Sequence, residues 1–203
     1  MTLTAEFPTT ASEGRWRWTR KEFHQAADMG LFGDTRVELL DGEVLVMAGQ
    51  KTPHFTALRF TTEVMAAVFG EGCEVRSQGP VVLSDESEPE PDVVVVPGTA
   101  RDYADHHPTP PEIRLLVEIS DATLATDRGA KLLSYAREAI ADYWIVNLVN
   151  RQLEVHRNPA LLPDGPGYKL RQVLSEGDSI APLFAPGQEV AVADLLPPVQ
   201  VQG

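Results

Sequence analysis

Residues 93–96 are four consecutive valines, and residues 115–119 read Leu-Leu-Val-Glu-Ile. Side chains along a strand point alternately to its two faces, so an apolar run without alternation needs cover on both. The two runs therefore require central strands of a sheet packed on either side. They also put charge where burial forbids it. Asp92 stands at the mouth of the valine run, and Glu118 lies inside the second run. A carboxylate in an apolar strand is costly unless it is paired, hydrogen-bonded or bound to metal.

The rest of the chain supplies the cover. Thr19 and Glu22 have capping-box spacing ahead of Phe23 and Ala26 or Ala27, and Gly30 or Gly33 ends this first helix. Asp41-Gly42 between two β-prone runs predicts a hairpin, since a type I′ turn needs positive φ at both positions. Phe55, Leu58, Thr62, Met65 and Phe69 recur at helical steps and predict a helix over 54–69, stopped by Gly70 and Gly72. Strands are expected at 73–76 and 81–83, then a proline-rich loop at 97–112 and a helix from Asp127 to about Ala139. A strand at 143–146 pairs with 152–157 across Asn150-Arg151. Proline and glycine mark 159–167 as irregular, with short strands following at 168–173 and 189–192. This order makes the fold class α/β, a mixed sheet with helices packed on it.

A length of 203 residues suits a single domain, 1–203, with a core over about 18–196 and loose termini. Cys73 is the one cysteine, so no disulfide framework can form; it reads as a small buried hydrophobe in a reducing compartment. The first residues lack a basic start and an apolar h-region, and no apolar stretch approaches the ~20 residues that span a bilayer. A cytoplasmic protein without membrane contact is expected. The net charge of −13 works against general DNA binding, which leaves a basic footprint. Arg15, Arg17, Arg20 and Lys21 do cluster, but they read better as a solvated segment around the first helix.

Asp92 and Glu118, on adjacent strands, can meet at one spot. Two carboxylates plus waters suit Mg²⁺, which takes oxygen ligands and keeps part of its hydration shell. The other reading of Glu118 is a carboxylate held by a buried Lys, Arg or backbone amide. Downstream, Asp127, Lys131 and Tyr135 are spaced four apart and share one helix face. Without the strand carboxylates they would read as an exposed ion pair and an amphipathic tyrosine. His106-His107 reads as an exposed loop, and His54 stands where it can cap a helix or approach a phosphate. There is no glycine-rich phosphate loop, no G-x-S-x-G elbow and no C-x-x-C.

Pro91-Asp92, Glu118-Ile-Ser120, Asp127-x-x-x-Lys131-x-x-x-Tyr135-Ala and Asp142-Tyr-Trp-Ile-Val146 together resemble the Uma-two family of restriction-endonuclease-like proteins, within the PD-(D/E)XK nuclease superfamily. Glu38-Leu-Leu-Asp-Gly-Glu43 and His54 at a helix start also fit the family pattern, and the resemblance covers roughly residues 18–196. It implies a restriction-endonuclease-like core with flanking helices and a C-terminal β-hairpin region. It implies that Asp92 and Glu118 bind metal together with the backbone carbonyl of Ile119. Glu38 would help position metal or water, and Lys131 would take the lysine role, since Ser120 stands where the superfamily carries its lysine. Tyr135, Asp127 and His54 support the centre. Asn147, where the family carries aspartate, reads as a turn variant.

The implied activity is Mg²⁺-dependent hydrolysis of DNA phosphodiester bonds, with Mn²⁺ as a substitute ion and a homodimer suited to cutting both strands. Two alternatives stand beside it. One is a catalytically inactive interaction module on the same fold, which the acidic charge favours. The other is a metal-dependent hydrolase of RNA or of a smaller phosphodiester.

Overall fold

The computed structural model describes residues 15–199, so the expected looseness of the extreme termini lies outside the described residues. Its centre is a mixed six-stranded sheet. The strands are β3 (Cys73–Ser77), β4 (Val93–Pro97), β5 (Leu115–Ser120), β6 (Asp142–Asn147), β7 (Gln152–Leu162) and β8 (Gly165–Ser175), in that spatial order. Only the β5–β6 pair is parallel; the other pairs in this sheet run antiparallel. A parallel neighbour cannot be reached by a tight turn, so the chain crosses the sheet between them as a helix. A separate hairpin, β1 (Val37–Leu40) and β2 (Glu43–Val46), precedes the sheet, and a small pair, β9 (Ser179–Ile180) and β10 (Val190–Ala191), follows it.

The two apolar runs are β4 and β5, and every residue of β5 is buried. Val93, Val95, Leu115, Val117 and Ile119 face α2 (Thr52–Phe69) and the segment Val190–Leu196. Val94, Val96 and Leu116 face the opposite way, toward Tyr135, Ile140 and Tyr143. Glu118 and Ser120 share the parity of Leu116, so they point to this second face among buried aromatic rings. The crossover there consists of α3 (Leu124–Thr126), a π-helical turn over Asp127–Lys131, and α4 (Leu132–Arg137).

The local signals place most elements as read. Thr19 and Glu22 form the capping box of α1 (Arg20–Asp28). Asp41 and Gly42 both have positive φ, +49° and +74°. Gly42 has a second reason to be glycine, because a Cβ there would come within 2.7 Å of the Arg17 side chain. Other expectations need correction. Phe55 is exposed, and α2 buries Ala57, Leu58, Thr61 and Met65 instead. Residues 81–83 are not a strand, though Val81 and Leu83 are buried: the Val81, Val82 and Leu83 amides donate to Pro89, Pro108 and Ser87 carbonyls, loop partners rather than a ladder. The 159–167 stretch is not irregular, because β7 and β8 run on as one long hairpin through Leu162 and Gly165. β6 pairs β7 only as far as Arg157, so Pro159 interrupts no ladder on that side. Cys73 is half-buried rather than fully buried.

The sheet also holds His156, stacked on Tyr143 with ring centroids 5.7 Å apart and with its Nε2 buried without a partner. Burial pushes the imidazole down to about 4; Glu154 opposes the shift, while Arg171 and Arg128 add to it. A histidine whose folded value lies below its unfolded value of about 6.5 stabilises the fold fully above that pH and loses the contribution as pH falls toward 4. The loss is on the order of 3 kcal/mol. His156→Phe, which keeps a ring on Tyr143 and cannot charge, should gain Tm relative to wild type as pH drops from 6.5 to 4. Parallel melting profiles would refute this assignment.

Candidate active site

The carboxyl end of β5, the amino end of β4, the β1–β2 hairpin and the crossover helix enclose a cleft of about 520 Å³. Four buried carboxylates, Glu38, Asp92, Glu118 and Asp127, and one buried ammonium, Lys131, line it, with the Arg36–Glu90 pair nearer the surface. The hairpin is brought to this point by its turn: Asp41 accepts from Ser134 Oγ at 3.0 Å and from Arg137 Nη1 at 2.7 Å, both on α4. Glu38 stands in the third strand pair from that turn, opposite Leu45, and its Oε2 accepts from the Glu90 amide at 3.0 Å.

Lys131 Nζ sits between Glu118 Oε1 at 3.1 Å and Glu38 Oε1 at 3.2 Å. Burial opposes the ammonium, but Glu118, Glu38 and Asp127 outweigh it and hold Lys131 charged, with its pKa above the ordinary value. Glu118 carries the opposite burden. Burial pushes its carboxyl up to about 8; Lys131 counters this, while Asp127, Asp92 and Glu38 reinforce it. Tyr135 donates its hydroxyl to Glu118 Oε1 at 2.7 Å, so the tyrosine orients the carboxylate and not the lysine. The remaining oxygen, Glu118 Oε2, has one long contact, 3.4 Å from the Asp92 amide.

Asp92 is fixed from three sides. Its Oδ2 accepts from the Ile119 amide at 2.8 Å, and its Oδ1 lies 3.1 Å from His54 Nε2 and 3.3 Å from Gln78 Nε2. Burial works against a charged His54, but the hydrogen-bonded Asp92 carboxylate, with Asp127 and Asp121 behind it, raises the imidazole pKa. The resemblance assigned Ile119 a role through its carbonyl; the contact present is through its amide.

Asp127 does not pair with Lys131. Its Oδ2 accepts from Ser120 Oγ at 2.6 Å and Thr123 Oγ1 at 2.7 Å. Ser120 therefore ties the crossover to β5 at the position where the superfamily carries lysine. The π-helical turn has a matching anchor on its other side, since Arg128 reaches the buried Glu154 on β7. A π-turn inside a helix is a frequent mark of a functional site. Here it lets Asp127, Arg128 and Lys131 reach three different partners on the sheet and the hairpin.

The sequence reading missed Gln78. It follows β3 with φ of +54° and turns its amide onto Asp92. The Gln-Gly-Pro at 78–80 signals a turn, but nothing in that signal names the aspartate it serves. The remaining sequence candidates lie apart. Arg15, Arg17 and Arg20 pair with Glu43, Glu86 and Glu88, in line with a structural segment. His106 pairs with Asp105 and Glu112 at the surface.

Among the described residues, no three His, Cys, Asp or Glu side chains converge as a ready-made metal cage. The donor set nevertheless fits a hard divalent cation. Asp92 and Glu118 both line the cleft, the Asp92 amide lying 3.4 Å from Glu118 Oε2, and four buried carboxylates there face one buried ammonium. Mg²⁺ is held by one or two carboxylates with waters and substrate phosphates, not by an all-protein cage.

Comparison with known proteins bears on the family and the fold. The model of the Uma2 family, described as "Putative restriction endonuclease", matches residues 20–193. Among solved structures, the chain is similar to "a putative nuclease belonging to DUF820" from Anabaena variabilis ATCC 29413, with a TM-score of 0.66 and 15% identity, over 88% of this chain and 97% of that one. No curated protein matches the chain. A match over most of its length, on the sheet that carries these carboxylates, places the chain in the Uma2 family of restriction-endonuclease-like proteins.

Proposed function

We propose that this nuclease-family chain is a metal-dependent endonuclease that hydrolyses DNA phosphodiester bonds. The observation that supports it most is the buried excess of carboxylate over ammonium, with Asp92 and Glu118 adjoining at the ends of central strands. Restriction-endonuclease-like families generally use divalent metals. Asp92 and Glu118 would hold Mg²⁺, or Mn²⁺ in its place. Such an ion, when bound, polarises a phosphoryl oxygen and lowers the pKa of a water.

The chain's own groups do the rest. An ammonium has three N–H donors, and Glu118 and Glu38 engage two on Lys131. The third is available to a phosphate oxygen, where it offsets charge that grows during attack. Tyr135 fixes the Glu118 carboxylate, and His54, Gln78 and the Ile119 amide fix that of Asp92, so little reorganisation would accompany the reaction.

The test is calorimetric titration of Mg²⁺ and Mn²⁺ into the wild type and into Asp92→Ala, followed by incubation of both with plasmid and with heat-denatured DNA. Metal-dependent cleavage that the variant lacks is the expected result. Metal binding without cleavage of either DNA would point to the RNA or small-phosphodiester alternative. No binding and no cleavage, with DNA present during the titration, would leave the inactive module.

A further inference from the structure

We infer that the DNA this cleft accepts is unpaired, a single-stranded segment, flap or frayed end, and not intact duplex. The inference rests on the nuclease reading above. Three independent observations support it.

The first is depth. Glu118 is 3% exposed, Lys131 6% and Asp92 9%, so the reacting centre lies on the floor of the cleft. The cleft volume of about 520 Å³ is that of a small-ligand pocket. Duplex DNA is stiff over ~150 base pairs and presents its phosphates on a smooth exterior. A single strand has no such stiffness and can lead one phosphate inward.

The second is charge. Duplex binders that neutralise ~6–10 phosphates need a track of free cations. Here the net charge is −13. Arg36, at the cleft, is paired with Glu90; Arg17 and Arg20 are paired with Glu86 and Glu88. Among the described cations at the cleft, a phosphate would find Lys131 at the floor, already shared between Glu118 and Glu38, and Lys51, held loosely to Asp121 at 3.8 Å on the rim.

The third is the wall. Leu45, Val46, Met47 and Ala48 of the hairpin arm line one side of the cleft, and Ala125 and Ala130 of the crossover line another. Val46 is 72% exposed, an apolar side chain held in solvent beside the polar floor of the cleft. A wall of this kind makes no sense against a sugar-phosphate rail. It suits the face of a base turned out of its stack, and apolar or aromatic contact with a base face tolerates any sequence.

The test uses one end-labelled oligonucleotide, alone and annealed to its complement, with wild-type protein in Mg²⁺ or Mn²⁺. Faster cleavage of the single strand is expected, by about tenfold for each base pair that must be opened, since one step of stacking is worth about one decade. The salt dependence of binding should be shallow, with a log–log slope near −1.4 for about two phosphates on a single strand. Val46→Asp, at a solvent-facing position, should raise KM for the single strand about tenfold at unchanged Tm. Equal or faster cleavage of the duplex would overturn the inference and leave the nuclease reading intact. If neither oligonucleotide is cut, the nuclease reading fails, and fluorescence anisotropy of the same two probes decides the inference alone: equal affinity overturns it.

Discussion

Glu118→Gln should reduce metal-dependent cleavage by about 10³-fold or more in single-turnover measurements, because charge stabilisation worth about 4 kcal/mol depends on it. Glutamine keeps the shape of the side chain and an oxygen that can accept from Tyr135. What it removes is the negative charge that would hold the ion beside Asp92. Burial already pushes Glu118 toward its neutral form, so a neutral amide is tolerated there and Tm should stay near that of the wild type. The activity loss would then report chemistry and not unfolding. A variant that retains cleavage within about threefold of wild type would remove Glu118 from the ligand set.

Lys131→Met should destabilise the protein by about 3–5 kcal/mol at neutral pH, the usual cost of deleting one partner of a buried ion pair. Methionine fills the same space, so the loss measures charge. Glu118 and Glu38 would be left facing each other with no ammonium between them. The sign of the pH dependence follows from Glu118. Its folded-state pKa is raised above the unfolded value, so its ionisation disfavours the fold, and the penalty appears as pH rises from the ordinary carboxylate range through about 8. Without Lys131 that value moves higher still, so the gap from wild type should stay level up to about pH 8 and widen above it. Denaturant unfolding at several pH values measures it. A gap that narrows with rising pH would contradict this account of the cluster. Mg²⁺ should restore part of the lost stability, since a cation that binds the folded state alone stabilises it by mass action.

Much of this centre is legible in the sequence because burial leaves a plain signature. A carboxylate within Leu-Leu-Val-Glu-Ile has to be explained, and so does an aspartate at the head of four valines. Their meeting needs only that β4 and β5 be neighbours, which they are. The spacing of Lys131 and Tyr135 also survives, and both reach Glu118. Asp127 was harder, because a four-residue step implies a partner along the same helix. The π-turn breaks that assumption and sends the side chain to Ser120. Gln78 was illegible, since a positive-φ glutamine after a strand looks like any turn. The long β7–β8 hairpin was masked by Pro159 and the glycines at 165 and 167, which mark loops in most settings. Its outer edge is what makes them tolerable, and edges are a property of topology that no local window contains.

The parallel pairing of β5 with β6 has a consequence for the order of assembly. Lys131 and Tyr135 ride on the segment that links those strands, and α4 packs against β7 and β8, which come later in the chain. A chain growing from a ribosome thus has both carboxylate partners of Lys131 behind it when that residue emerges, yet the helix that follows Lys131 packs on strands that end only at Ser175. The helix that carries Tyr135 is therefore covered last, by the final two strands of the six-stranded sheet.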